Sequence, residues 1–168
     1  KFAAFDSPCF PHLARIDAVG IHFSENILHA NKKITLKVKA NFERSILAID
    51  LIPGLEPEML FGVLLSGKCK GLLFRAFDSG NVPSEGRYSL LPVIREAIHT
   101  FKIPVLVSTK FVGGNTHMEI YEPGRLALEA GVIPTNDLTD VMAHVKFMWA
   151  LAQSRHSLDY LRRIMRTT

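Results

Sequence analysis

The chain is poor in cysteine, has no long apolar run and carries no strong excess of either charge. Its two cysteines, Cys9 and Cys69, stand in no metal-ligand or redox spacing. Two thiols in 168 residues read as reduced groups in a cytoplasmic protein, not as a disulfide framework. No apolar segment reaches the roughly 18 residues that a membrane helix requires, so no membrane span is expected. No leader peptide is visible, and a start at Lys1 without methionine suggests a piece of a longer protein. The net charge of +4 is mild. Arg155, Arg162, Arg163 and Arg166 cluster near the end, but no aromatic-rich basic stripe accompanies them. They read as a solvated helix face with cations near a helix C-terminus, not as a nucleic-acid patch. No internal repeat and no low-complexity tract is present.

What is there suffices for one domain with a real core, since 48% of the residues are hydrophobic. Residues 1–31 read as an extended arm, because Pro8 and Pro11 bias their predecessors away from helix. The domain proper is placed at 32–168. Ala18–Phe23 and Lys33–Lys39 look like strands, the second alternating with one wet face.

From Ile46 the rhythm becomes strand, loop, helix. Ile46–Ile52, Gly71–Phe77 and Pro104–Thr109 are short apolar runs, as buried parallel strands are. A helix from Glu56-Pro57 to Gly67 carries Met59, Leu60, Val63 and Leu64 on one face. A second spans Ser89–Phe101, with Pro92 in its first turn. A third spans Pro123–Ala130. A long helix capped by Asp137 follows, with a core stripe of Leu138, Val141, Met142, Val145, Met148, Trp149 and Ala152. A last amphipathic helix covers Ser157–Met165. The sum is an α/β fold: a small, flavodoxin-like parallel sheet with helices on both faces, preceded by the arm.

Ligand sites in such sheets lie outside the carboxyl ends of the strands. There the chain places Asp78-Ser79-Gly80-Asn81-Val82-Pro83 and Ser108-Thr109-Lys110. Gly80 permits a tight turn, and the Asn81 amide offers donors and an acceptor. By themselves Gly80-Asn81 also read as an ordinary turn, and Ser108-Thr109 as ordinary strand-end polarity. Tyr121 reads as a core or interface ring with its hydroxyl bonded. Lys146 can lie along its helix with its head in water. Cys9 and His12, three apart on a proline-broken arm, have nothing to activate a thiolate.

Taken in order, Gly80-Asn81-Val82-Pro83, Gly113-Gly114-Asn115, Tyr121-Glu122-Pro123-Gly124, Ala130-Gly131-Val132-Ile133-Pro134, Asp137-Leu138-Thr139 and Lys146-Phe147-Met148-Trp149 resemble the C-terminal domain of L-asparaginases, especially the type I and archaeal-like branch. Ser7–Ala14 resembles the linker that leads into that domain. The resemblance implies a parent reaction, hydrolysis of L-asparagine to L-aspartate and ammonia. It also implies a cytoplasmic homo-oligomer, dimer or tetramer, with no metal or other cofactor. It gives Asn81 the role of an amide that reaches a neighbouring subunit's active site. Ser79, Lys110 and Tyr121 become companions in a substrate pocket or effector site. Lys110 stands where the family usually has glutamine, and Val141 where it often has glutamate. The family's threonine nucleophiles lie in Thr-Gly-Gly-Thr and Thr-Asp-Lys segments. Neither segment occurs here, so no catalytic residue is expected in this chain and it should be inactive alone. Two alternatives stay open: the asparaginase-like subunit of a tRNA-dependent amidotransferase, and a non-catalytic amino-acid-binding or regulatory module.

Overall fold

A computed structural model describes residues 7, 12–25, 27, 35, 37–155 and 157–166. Cys9, about half of the extended arm, and Lys33, Ile34 and Leu36 of the strand expected at Lys33–Lys39 lie outside the described residues. The described part of the arm forms an antiparallel ribbon, β1 (Ala14–Ile16) and β2 (Ile21–Phe23), in which Ala14 faces Phe23 and Ile16 faces Ile21. Ala18-Val19-Gly20 is therefore turn and not strand. The Asp17 carboxylate accepts the backbone N–H groups of Val19 (2.8 Å) and Gly20 (3.2 Å), which takes them out of any ladder. Those N–H groups, Val19 first, and the His22 ring hold the Asp17 carboxyl below its ordinary pKa.

Thr35 and Lys37–Lys39 belong to no strand. Instead, residues 39–43 run along a later helix. Trp149 Nε1 donates to Lys39 O (2.9 Å), Gln153 Nε2 to Asn41 O (3.1 Å), and Glu43 N to Met148 O (2.9 Å).

The main sheet contains β3 (Ile46–Asp50), β4 (Gly71–Ala76), β5 (Val105–Thr109) and β6 (Ile133–Pro134). All pair in parallel, and their order across the sheet is their order along the chain. Sequence reading missed β6. Two residues are too short for a periodic signal, and Pro134 without an N–H survives only at a sheet edge.

The crossovers are α1 (Pro57–Leu65), α2 (Leu91–Arg95) and α3 (Glu122–Glu129). Right-handed crossovers between strands laid in sequential order put all three on one face. One core cluster accordingly joins Leu60 and Leu64 of α1, Val93 and Ile94 of α2 and Ala127 of α3 to Leu72, Phe74, Val105 and Val107. The second face is covered by α4 (Asp140–Ser154) and α5 (Leu158–Arg166). Phe147, Ala150, Leu161 and Met165 pack there on Leu73, Leu106 and Ile133. Burial on both faces explains why β4 and β5 read as largely apolar runs, Arg75 and the terminal Ser108-Thr109 aside.

Several expectations about the helices are corrected by the structure. In α1, Leu60 and Leu64 are buried but Met59 is exposed. The helix after β4 starts at Leu91 and changes character. Residues 96–100 form a π turn in which Phe101 N donates to Glu96 O, five residues back (3.0 Å).

The expected stripe of α4 is also out of phase. Its buried residues are Ala143, Phe147, Ala150, Leu151 and Ser154, while Val141, Met142 and Val145 are exposed. The helix is apolar on two faces, and the sheet selects the one with small residues around Phe147. The Phe147 ring fits because β4 begins with glycine: a Cβ on Gly71 would lie 2.6 Å from Phe147 Cζ. The cap is corrected as well, since Thr139 Oγ1, not Asp137, accepts the Met142 N–H (3.4 Å).

Cys69 sits just before β4, buried, with its Sγ donating to Gly71 O (3.2 Å). Burial pushes its thiol pKa up, against the smaller effect of that bond. A short pulse of a thiol reagent on the native chain, read by peptide mass mapping, should label Cys69 more than about 100-fold slower than on the unfolded chain. Equal rates would show that this end of the sheet opens freely.

Candidate functional site

The carboxyl ends of the strands carry the polar chemistry. After β4, Phe77 pairs back with Asn81 in an isolated bridge. Phe77 O accepts the N–H groups of Gly80 (3.0 Å) and Asn81 (2.8 Å), and Asn81 O accepts Phe77 N–H (3.2 Å). The pinched loop holds Asp78 at φ 45° and Gly80 at φ 104°. Glycine is required at 80 by backbone and by space, since a Cβ there would lie 2.7 Å from Met118 Cγ.

This geometry aims polar atoms inward without partners. Ser79 Oγ and Asn81 Oδ1 are buried and accept or donate no hydrogen bond among the described residues. The same holds for Ser108 Oγ, at the end of β5, and Thr135 Oγ1, just after β6. A buried oxygen left unpaired forfeits about 1–3 kcal/mol. Such oxygens occur at or just beyond the carboxyl ends of β4, β5 and β6. Thr135 was not foreseen from sequence, because nothing announces a side chain that follows so short a strand.

Asn81 also lines an open cleft of ≈ 450 Å³ with Phe77, Pro83, Ser84, Glu85 and Pro123. A smaller apolar slot of ≈ 250 Å³ adjoins it, sharing Phe77 and Pro83 and adding Leu51, Leu55 and Tyr88.

Lys110 is held elsewhere. Its Nζ donates to Leu51 O at the end of β3 (2.9 Å) and lies 4.1 Å from the Phe77 ring centroid. It clips β5 to β3 across Phe77 and does not line the cleft of Asn81. Tyr121 is not a core ring: it is 49% exposed and stands at the N-cap of α3, where its carbonyl accepts Arg125 N–H. Pro123, not Tyr121, reaches the cleft. Of the four residues expected from sequence, only Asn81 lines the cleft; Ser79 stands two residues before it on the same loop, and Lys110 and Tyr121 lie outside.

Arg75 was missed too, although a cation inside the run Gly71–Phe77 was signal enough. Its Nε lies 2.9 Å from Asp50 Oδ1 and 3.2 Å from Asp140 Oδ1. The contacts are ionic, since neither oxygen is aligned to accept a hydrogen bond from the buried Nε. They tie β3 and β4 to the first turn of α4. In the middle of that helix Lys146 Nζ donates to Met165 O of α5 (3.3 Å), so its head is not simply in water. Burial lowers its pKa, and the Asp137 charge partly restores it. Among the described residues no cluster of three His, Cys, Asp or Glu could hold a metal. No helix among them is long and apolar enough to cross a membrane.

The fold is a parallel α/β domain with polar side chains at and beyond the carboxyl ends of its strands. Residues 45–165 match the family model of the glutaminase/asparaginase C-terminal domain, and the chain belongs to that family. It is 34% identical over 164 residues to an L-asparaginase of Thermococcus kodakarensis, covering 96% of this chain and 47% of that protein. It is 30% identical over 142 residues to a glutamyl-tRNA(Gln) amidotransferase subunit of Methanothermobacter thermautotrophicus, covering 84% of this chain and 31% of that one. The crystal structure of L-asparaginase I from Vibrio cholerae superimposes with a TM-score of 0.82 at 26% identity, over 98% of this chain and 48% of that one. The chain spans half or less of the length of these relatives.

Proposed function

We propose that this chain is the C-terminal part of an amidohydrolase that converts L-asparagine and water to L-aspartate and ammonia. The observation that carries the reading is the pair of unpartnered buried oxygens, Ser79 Oγ and Asn81 Oδ1, on the loop after β4 in an asparaginase-family domain. Its share is architectural: a loop that helps to close the pocket, and contacts within a cytoplasmic homo-oligomer. The arm at 1–31 leads into the domain at 32–168. Asn81 supplies the amide that meets the substrate, and Ser79 supports it. Lys110 shapes the strand end from behind Phe77, and Tyr121 stands at the outer lip. The hydroxyl nucleophile belongs to a part of the enzyme outside these 168 residues, because neither threonine motif occurs here.

The test has two arms. The isolated chain should release no ammonia from asparagine above the uncatalysed rate. Joined to the catalytic half of the relatives' length, the wild-type chain should restore turnover. There Asn81→Ala should lower turnover by about fivefold to a hundredfold at unchanged melting temperature, as for a lost polar contact of about 1–3 kcal/mol. Ammonia release by the isolated chain, abolished by an internal substitution, would sink the reading. If Asn81→Ala lowers only the melting temperature, the loop is a turn former and no more.

A second reading is supported by the likeness to the amidotransferase, which covers most of this chain. In it the same domain belongs to one component of a tRNA-dependent amidotransferase and works together with a partner. Turnover of free asparagine by the joined enzyme without any partner favours the first reading.

A further inference from the structure

The opposite end of the sheet holds a pocket that the reading above does not use. It lies among the residues that enter β3, β4 and β5 and the hinge between α4 and α5, and its volume is ≈ 400 Å³. The floor is apolar: Leu64, Phe101, Ile103 and Leu161. The rim is cationic: Lys70, Lys102 and Arg155 are all exposed, Lys70 Nζ making a long hydrogen bond to Gly67 O (3.5 Å), and the single acid is Glu43. That acid is engaged already, since its carboxylate accepts Ser45 N–H at 2.8 Å, which with the nearby Lys70 charge lowers its pKa.

Two of the three cations are held in left-handed backbone, Lys102 at φ 56° and Arg155 at φ 49°. Each follows the C-terminal end of a helix, which explains a positive charge there. It does not explain a pocket with an apolar floor and a polar rim kept open between them. Phe101 reaches the floor because the π turn at 96–100 inserts an extra residue into its helix, a device common at functional sites.

We propose that this pocket binds a small anion with an apolar body, a carboxylate on a short acyl chain. The acyl chain lies on Leu64, Phe101 and Leu161. The carboxylate meets Lys70, Lys102 and Arg155, which offer charge-assisted donors around one opening. The volume is within the range of small-molecule sites and suits a body of about ten non-hydrogen atoms. A ligand of that size, with its charge still near water, binds with a Kd on the order of 0.1–1 mM.

The test uses octanoate, octanol and octylammonium, which share a body and differ in charge, with the ¹⁵N-labelled chain observed by NMR. Octanoate should give saturable amide shifts at Lys70, Lys102, Arg155 and Leu158 and none at Ser79–Asn81. Octanol should bind about tenfold more weakly, and octylammonium should not bind. Lys102→Asn and Arg155→Asn keep a residue that tolerates the left-handed backbone. Each should weaken octanoate by about three- to tenfold and leave octanol unchanged, whereas Arg95→Gln on α2 should change neither. In 1 M salt, where charges are screened within about 3 Å, the advantage of octanoate over octanol should vanish in the unsubstituted chain. No saturable shift by 20-fold excess over about 1 mM, equal binding of octylammonium, or octanoate binding indifferent to salt would each overturn the proposal.

Discussion

Phe147→Ala should destabilise the chain by about 3–5 kcal/mol, the range for a fully buried aromatic truncated in a core. Phe147 is 0% exposed and is the largest fully buried side chain of the cluster between the sheet and α4–α5. Its ring end lies against Gly71, at the first residue of β4. No smaller neighbour can fill the gap without moving the sheet, because the backbone of a central strand forms one wall. Urea titration followed by far-UV circular dichroism measures the loss. A midpoint unchanged within error would mean that α4 does not dock as described. Phe147→Leu, which keeps most of the volume, should lose less than half as much.

Gly124→Ala should destabilise by roughly 2–4 kcal/mol for a different reason, overpacking against backbone. A Cβ at 124 would lie 2.2 Å from the Met118 carbonyl oxygen and 2.9 Å from its carbon. Neither atom can rotate away, so the start of α3 or the segment before it must shift. Because Met118 packs on Gly80 and Pro123 lines the cleft of Asn81, the shift should also reach the candidate site. In the joined enzyme, turnover should fall together with melting temperature, measured on the same preparation. A stable, fully active Gly124→Ala enzyme would mean that α3 sits farther from Met118 than described.

Much of the fold was legible because the strands are buried on both faces. Gly71–Phe77 and Pro104–Thr109 announce themselves as continuous apolar runs within one residue of the observed bounds. What was not legible depended on which of two equivalent surfaces the tertiary structure chooses. In α4, Val141, Met142 and Val145 outweigh Ala143 and Ala150 in hydrophobicity, yet the sheet takes the small residues because the helix must come close. The cap at Thr139 differs from the expected Asp137 by two residues, the usual uncertainty of a helix end.

At the candidate site, the loop at Ser79–Asn81 was visible from its glycine and its position after a strand. The reach of Lys110 to Leu51 O was not, since it joins two strands that are far apart in sequence. Thr135 and Arg75 show the same limit from two sides. One had no local signal, while the other had a clear one, a charge in an apolar strand, that chain rhythm alone did not interpret.

The sequential strand order has a consequence for how the chain acquires its structure. Each strand pairs with the strand that comes next, so the sheet and the three helices on its first face can assemble progressively during synthesis. The second face has no such local supply. Leu73, Leu106 and Ile133 wait uncovered until α4 and α5 have emerged. During that interval the nascent chain exposes one whole side of a finished sheet, and that side is where self-association of incomplete chains would begin.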